Sequence, residues 1–328
     1  MSDPLVSAIL GYADSTKDSI SIADDMSNPL VSVVIPTCRR AAMLARAVDS
    51  VLMQDYGNIE VIVADDNVAG SIAQRETAEV LSRYDGDARV RVVATGGLGG
   101  GGARNAAVGQ AKGEYLAFLD DDDEYKQGKI SAQVRFMLDG DWDMSYQDVE
   151  WYDESGKLVE HRRLDYASSS ETEELLRQHI LHSLCPTSIY MLRRRCFFET
   201  QGFAQLPQGQ DWHFMLSCIE AGLKIGYMPG AFVKQYLHSG ERCSTGQNKV
   251  EGENRLFDQR KRYFYLLDAH ERRYVRFRHY AVLAFACKRT GWFGKAVRYG
   301  LKTIVTSPVD CVREARRYFS RKSAPDAV

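Results

Sequence analysis

From Leu30 onward, short β-branched runs alternate with stretches of helical periodicity, and this alternation restricts the fold more than any other feature of the chain. Residues 31–35 form a β-branched run stopped by Pro36, and residues 59–64 form a second that ends at Asp65-Asp66-Asn67. Between them, Met43, Leu44, Ala47, Val48, Val51 and Leu52 recur at the spacing of one helix face over 40–53. A helix over about 71–84, a strand over 90–94, a glycine-rich turn and a helix over about 103–111 follow. The apolar run 114–119 then ends in four consecutive aspartates, Asp120 to Asp123. Strands alternating with helices imply a mostly parallel sheet covered on both faces. Ligands of such sheets sit at the carboxyl ends of the strands, and both acidic clusters fall there.

Four adjacent carboxylates at a strand tip repel one another by several kcal/mol at an effective dielectric of about 20, so a folded chain holds them together only with compensation. A hard divalent cation, Mg²⁺ or Mn²⁺, takes oxygen ligands and supplies it, leaving coordination positions for a substrate's phosphates. A solvated acidic turn is the plain alternative. Asp65 and Asp66 carry a similar choice: a capping Asx turn, or a carboxylate accepting a hydrogen bond from the base or ribose of a nucleotide. Arg104 is placed to neutralise one of these acids or to form a structural salt bridge. The glycines admit another chemistry. Gly97-x-Gly99-x-x-Gly102 matches the dinucleotide fingerprint in spacing, and bare N–H groups ahead of a helix suit phosphate, so an NAD(P)-dependent oxidoreductase stays open. Against it stand four carboxylates where a ribose needs one, and two strands preceding a loop that prefers the first βα turn.

Beyond Lys129 the pattern loosens. A helix over 130–138, strands or an edge hairpin over 144–152 and 157–162, a helix over 171–182 and a strand over 186–192 are expected. A helix over 211–221 closed by Gly222, and a strand over 223–228, complete the α/β pattern. Residues 254–322 read as helices with basic and aromatic faces. Residues 1–28 read as a mobile leader in which Met1–Ser7 nearly repeats as Met26–Ser32. The expected organisation is that leader, an α/β domain over 29–245 (nucleotide half about 29–125, acceptor half about 126–245) and a helical basic region over 246–328.

The 328 residues include no apolar run near the ~18–20 needed to cross a bilayer. Seven widely spaced cysteines without a CxxC pair fit reduced thiols, hence a cytoplasmic protein. The net charge of −2 hides an asymmetry: residues 255–322 hold 18 of the 42 Lys and Arg but only 5 of the 44 Asp and Glu. Basic amphipathic helices suit an anionic membrane surface, with peripheral contact as one reading and a solvated cap or oligomer contact as the others. No recognised nucleic-acid module frames these residues.

Four motifs now stand in order: Val31-Ser-Val-Val-Ile-Pro-Thr37, Glu60-Val-Ile-Val-Ala-Asp-Asp66, Ala103-Arg-Asn105, and Lys112-Gly-Glu-Tyr-Leu-Ala-Phe-Leu-Asp-Asp-Asp-Asp123. Over residues 30–245 the chain resembles the family 2 glycosyltransferases of the GT-A fold. That resemblance implies a nucleotide-diphosphate-sugar donor, UDP-sugar foremost, with Pro36, Thr37, Asp65, Asp66, Arg104 and Asp121 on the donor side. It implies that Asp120 and Asp122 are the family's metal-binding aspartates, holding Mn²⁺ or Mg²⁺. Gln210-Asp211-Trp212 resembles the family's base-bearing Glu-Asp pair, which makes Asp211 the candidate base, with a helix N-cap as its alternative. Tyr236-Leu-His-Ser-Gly-Glu-Arg242 resembles a late segment reaching back to phosphates and metal, so His238 joins the metal set and Arg242 the diphosphate set. Thr37-Cys38-Arg39-Arg40 departs from the family, where Tyr-Asn follows the threonine. The Gln-x-x-Arg-Trp signature of processive synthases is absent, which favours transfer of a single residue. The implied acceptor is a hydroxyl of a glycan or lipid-linked saccharide. A non-catalytic sugar-nucleotide-binding protein is the remaining alternative.

Overall fold

A computed structural model describes residues 28–237 and 246–323. Four parallel strands build its first half: β1 (Val31–Thr37), β2 (Ile59–Asp65), β3 (Val90–Ala94) and β4 (Tyr115–Phe118). Every residue of β1 and β4 is buried, as expected for parallel strands covered on both faces. Thr37 lies opposite Asp65, and Val34 opposite Phe118, so the carboxyl tips of β1, β2 and β4 stand side by side.

Helices α1 (Ala41–Leu52), α2 (Ile72–Leu81) and α3 (Gly99–Val108) connect these strands. Helix α1 turns Leu44, Ala47, Val48 and Val51 into the core. Helix α2 begins where the Ser71 hydroxyl accepts from the Gln74 amide at 3.1 Å, satisfying an otherwise unpaired first-turn N–H.

The second half holds β5 (Glu124–Tyr125), α4 (Lys129–Asp139), β6 (Met144–Asp153), β7 (Leu158–Arg162), α5 (Thr172–His182), β8 (Met191–Arg193), α6 (Arg194–Glu199), α7 (Gln210–Glu220) and β9 (Ile225–Leu237). The sheet order is β3-β2-β1-β4-β8-β6-β9-β5, with β7 paired to β6. The long registers are parallel, and short antiparallel pairings at β8, β7 and β5 join them. This is the mostly parallel, helix-flanked α/β sheet that the sequence pattern implies. Helices α8 (Gly246–Arg262), α9 (Ala269–Arg289), α10 (Phe293–Thr306) and α11 (Pro308–Ser323) follow. Among the described residues, no helix is long and apolar enough to cross a membrane.

Two expected elements differ. The strand over 186–192 is a 3₁₀ turn at Thr187–Ile189 followed by the three-residue β8. The strand expected to stop at 228 runs on to Leu237 as β9, because Pro229-Gly230 marks an irregularity rather than an end. The β6–β9 register shifts beside it, and Gly230 takes φ +108°.

Candidate active site

The aspartate run leaves β4 and closes on itself, the Asp123 amide donating to the Asp120 carbonyl at 3.0 Å. Carboxylate oxygens of Asp120, Asp122 and Asp123 lie within 4.8 Å of one another. Asp121, by contrast, is fully buried and paired with Arg40 at 2.6 Å. Burial pushes its carboxyl up to about 7 against the opposing pull of Arg40. Arg40 also reaches Asp122 at 2.7 Å, and Arg46 donates to the Asp122 carbonyl at 2.6 Å. Asp123 is buried too. Its Oδ1 accepts from the Tyr236 amide at 3.2 Å, while its Oδ2 receives no hydrogen bond. Burial, then the charges of Asp122 and Asp120, hold the Asp123 carboxyl well above the usual range.

An undonated buried carboxylate oxygen is costly in protein alone. Three converging carboxylates are what a hard divalent cation takes as ligands, so this donor set fits Mn²⁺ or Mg²⁺. Sequence reasoning brought Asp120 and Asp122 here and missed Asp123. It also missed Arg40, whose only sequence signal was the departure after Thr37, and Arg46, which lies beyond that departure.

The glycine-rich loop is occupied by the protein's own anion. Asp66 Oδ1 accepts from the Thr95 hydroxyl (2.7 Å) and from the amides of Gly97 (2.9 Å) and Leu98 (2.7 Å), and its Oδ2 from the amide of Gly99 (2.8 Å). Such a backbone nest favours negative charge, and three of its amides are already committed. Gly97 and Gly99 take φ +92° and +76°, a region open chiefly to glycine. Asp65 closes a local Asx turn, accepting from the Asn67 amide and side chain at 3.0 and 2.7 Å. Pro36 and the buried Thr37 end β1 beside it.

Arg104 ties this loop to the other half of the site. One guanidinium nitrogen pairs with Asp120; the other donates to the Gly100 carbonyl (3.2 Å) and to Gln210 Oε1 (3.1 Å). A Cβ on Gly101 would meet the Ala204 carbonyl oxygen at 2.6 Å, so only glycine lets the chain leading to Gln210 come this close.

Asp211 stands half-buried in the first turn of α7, with Oδ1 accepting from the Trp212 amide at 2.8 Å. Burial, then Asp211, pushes the Cys185 thiol up, so it stays protonated beside that carboxylate. Beneath α7, His179 Nε2 meets the Trp212 carbonyl at 2.9 Å, and its Nδ1 accepts from the Leu184 amide at 3.1 Å. Burial lowers that imidazole to about 3, so it is neutral, with Nε2 as donor. Helix α8 seats the same turn. A Cβ on Gly209 would lie 3.0 Å from Leu256, and the Arg260 guanidinium lies 5.7 Å from the Trp212 ring centroid. Arg260 is itself paired with the buried Glu253 at 3.5 Å, which His279 approaches at 3.1 Å. His238 and Arg242 lie outside the described residues.

The sequence profile described as Glycosyl transferase family 2 matches residues 32–199, slightly more than half of the chain. The chain belongs to this family. An uncharacterized glycosyltransferase of Rickettsia bellii (strain RML369-C) is 29% identical over 229 residues, covering 69% of this chain and 32% of its own. The chain thus spans about a third of that relative's length. A Campylobacter jejuni protein named GalNAc(5)-diNAcBac-PP-undecaprenol beta-1,3-glucosyltransferase is 33% identical over 112 residues, 34% of this chain and 36% of that one. Among solved structures, S. aureus TarS 1-349 in complex with UDP-GlcNAc superposes with a TM-score of 0.55 at 18% identity, over 84% of this chain and 89% of that one. That likeness places the glycosyltransferase family 2 chain in the GT-A fold.

Proposed function

We propose that this chain is a metal-dependent, inverting, non-processive glycosyltransferase that moves a sugar from a nucleotide-diphosphate sugar, UDP-sugar foremost, to a hydroxyl of a glycan or lipid-linked acceptor in polysaccharide biosynthesis. One observation carries the reading: three carboxylates converge at a strand tip around an undonated buried oxygen, and Arg104 links them to the helix start that bears Asp211. Family membership supports transfer chemistry. The lipid-diphosphate acceptor in the Campylobacter relative's name and the UDP-GlcNAc of the TarS complex are consistent with the substrate classes.

Asp120, Asp122 and Asp123 would hold the cation, and His238, outside the described residues, is the further candidate ligand. When bound, Mn²⁺ or Mg²⁺ stabilises the charge that grows on the departing diphosphate. Arg104, fixed by Gln210, keeps Asp120 aimed at that site and adds positive charge beside the donor. Asp121 stays inside, anchoring Arg40 below the same loop. Thr37, Pro36 and Asp65 line the nucleoside side at the tips of β1 and β2, and Asp66 shapes that side by fixing the glycine loop. Arg242, likewise outside the described residues, is the candidate partner of the diphosphate. Asp211 takes the proton of the acceptor hydroxyl as the hydroxyl attacks the anomeric carbon from the face opposite the diphosphate. Its bond to the Trp212 amide holds the carboxylate in place in the first turn of α7.

The donor half over 29–125 and the acceptor half over 126–245 would thus meet at Arg104. The six described cysteines are free thiols, which supports a reducing, cytoplasmic setting. A panel of nucleotide sugars, with and without Mn²⁺, scored for slow hydrolysis and transfer, tests the reading. Turnover that needs neither a nucleotide sugar nor the divalent ion would remove it.

A further inference from the structure

We infer that the outer face of the α9–α10 hairpin, continued by the start of α11, docks on an anionic lipid surface. Helix α10 contains no acidic residue. Phe293, Val297, Leu301, Ile304 and Val305 recur on one side of it at helical spacing, and all are exposed, from 54% at Ile304 to 80% at Val305. Lys295, Arg298 and Lys302 form the adjoining stripe. The remaining side is the seat on α9, where Thr303 is buried and Tyr299 stacks on Tyr280 at 6.3 Å. The helix therefore rests on α9 by one edge and turns an apolar stripe and a basic stripe outward.

The neighbouring elements extend the same pattern. Phe285 near the end of α9 is 69% exposed, next to exposed Lys288 and Arg289. Val309 and Val312 of α11 are exposed as well, flanked by Arg316 and by Arg313, which pairs at 2.9 Å with the buried Asp310 that also accepts from the Ser307 hydroxyl at 2.6 Å.

A contiguous exposed apolar surface of this kind marks a protein or membrane contact. Charge decides between them. A second copy would bring two basic stripes face to face, whereas anionic headgroups would neutralise Lys288, Arg289, Lys295, Arg298, Lys302 and Arg316 as the apolar side chains enter the headgroup boundary. The inference concerns the C-terminal helices alone and stands apart from the transfer reaction.

The test is flotation of the full chain with vesicles of phosphatidylcholine alone and of phosphatidylcholine mixed with phosphatidylglycerol, at low and high salt. The expected result is binding to the anionic vesicles only, released by salt. Leu301→Glu with Val305→Glu should cut the bound fraction by about tenfold, and Arg298→Glu with Lys302→Glu likewise, with circular dichroism and hydrolysis of the donor unchanged. No vesicle binding, or equal binding to both vesicle types, overturns the inference. So does a dimer of the wild-type chain in sedimentation that L301E/V305E abolishes, which would give the face to a second copy.

Discussion

Asp123 shows how much of the site a single residue can reveal. With its Oδ1 bonded to the Tyr236 amide and its Oδ2 undonated, its charge is a liability until a cation arrives. Its carboxyl is held above the ordinary range, so its contribution to stability is full below the unfolded value near 3.8 and is lost as pH rises. Asp123→Asn keeps the Tyr236 bond and removes the charge. It should stabilise the ion-free chain at neutral pH by about 1–3 kcal/mol in urea unfolding, while weakening Mn²⁺ binding at least about tenfold. Loss of both stability and ion affinity would mean misfolding instead. Asp211→Asn should lower turnover by about 10²–10⁴-fold with donor affinity kept, as read by kinetics and by UDP titration. His179 works in the opposite pH sense from Asp123. Its folded value is near 3 against 6.5 unfolded, so stability is lost as pH falls below 6.5, by roughly 1.4 kcal/mol per unit. Urea titrations from pH 6.5 to 4 should show that slope in the wild type and its loss in His179→Gln. The run of aspartates was legible as a cation site, but its division of labour was not. The chain turns at the Asp123 N–H to Asp120 carbonyl bond, with Asp121 buried against Arg40 and Asp123 buried beside Asp120 and Asp122, and no periodicity in four identical letters carries that.

Among the elements, the glycine run and α8 set the geometry that the residues use. Gly101→Ala would push a Cβ into the Ala204 carbonyl at 2.6 Å, forcing α3 away from the chain that carries Gln210. The expected cost is about 1–3 kcal/mol, with turnover falling further than stability because Arg104 rides on α3; a fully active Gly101→Ala would contradict that coupling. Helix α8 does the same service from the other side. Glu253→Ala leaves the buried Arg260 uncompensated, so calorimetric unfolding should show a loss of about 3–5 kcal/mol. The helices were legible because their apolar spacing is regular, as in α1. Residues 186–192 were not, because the apolar residues 189–192 read as strand while local bonds, Ile189 N–H to the Pro186 carbonyl and Tyr190 N–H to the Thr187 carbonyl, curl the segment's start into a 3₁₀ turn. The glycine loop matched a dinucleotide fingerprint for a real reason, since it does cradle an anion. The anion is Asp66, from a strand more than thirty residues earlier, and only the tertiary fold brings it there.

At the scale of the molecule, the sheet gathers tips from β1, β2 and β4 at one edge and turns the charge asymmetry of the sequence into separate surfaces. The acids line the strand tips, and the exposed cations Lys288, Arg289, Lys295, Arg298 and Arg316 of α9 to α11 lie at the other end of the chain. This layout was legible from β–α alternation and from charge counting, whereas the α8 seat under Trp212 was not, because helix-to-helix contact leaves no local pattern. The proposed transfer requires the acidic strand tip to hold a divalent cation against a nucleotide diphosphate. Isothermal titration of Mn²⁺ into the full chain with saturating UDP tests it most directly. One saturable site is expected, weakening sharply without UDP and disappearing in Asp122→Asn. No heat in the wild type, or a site that survives that substitution unchanged, would contradict it.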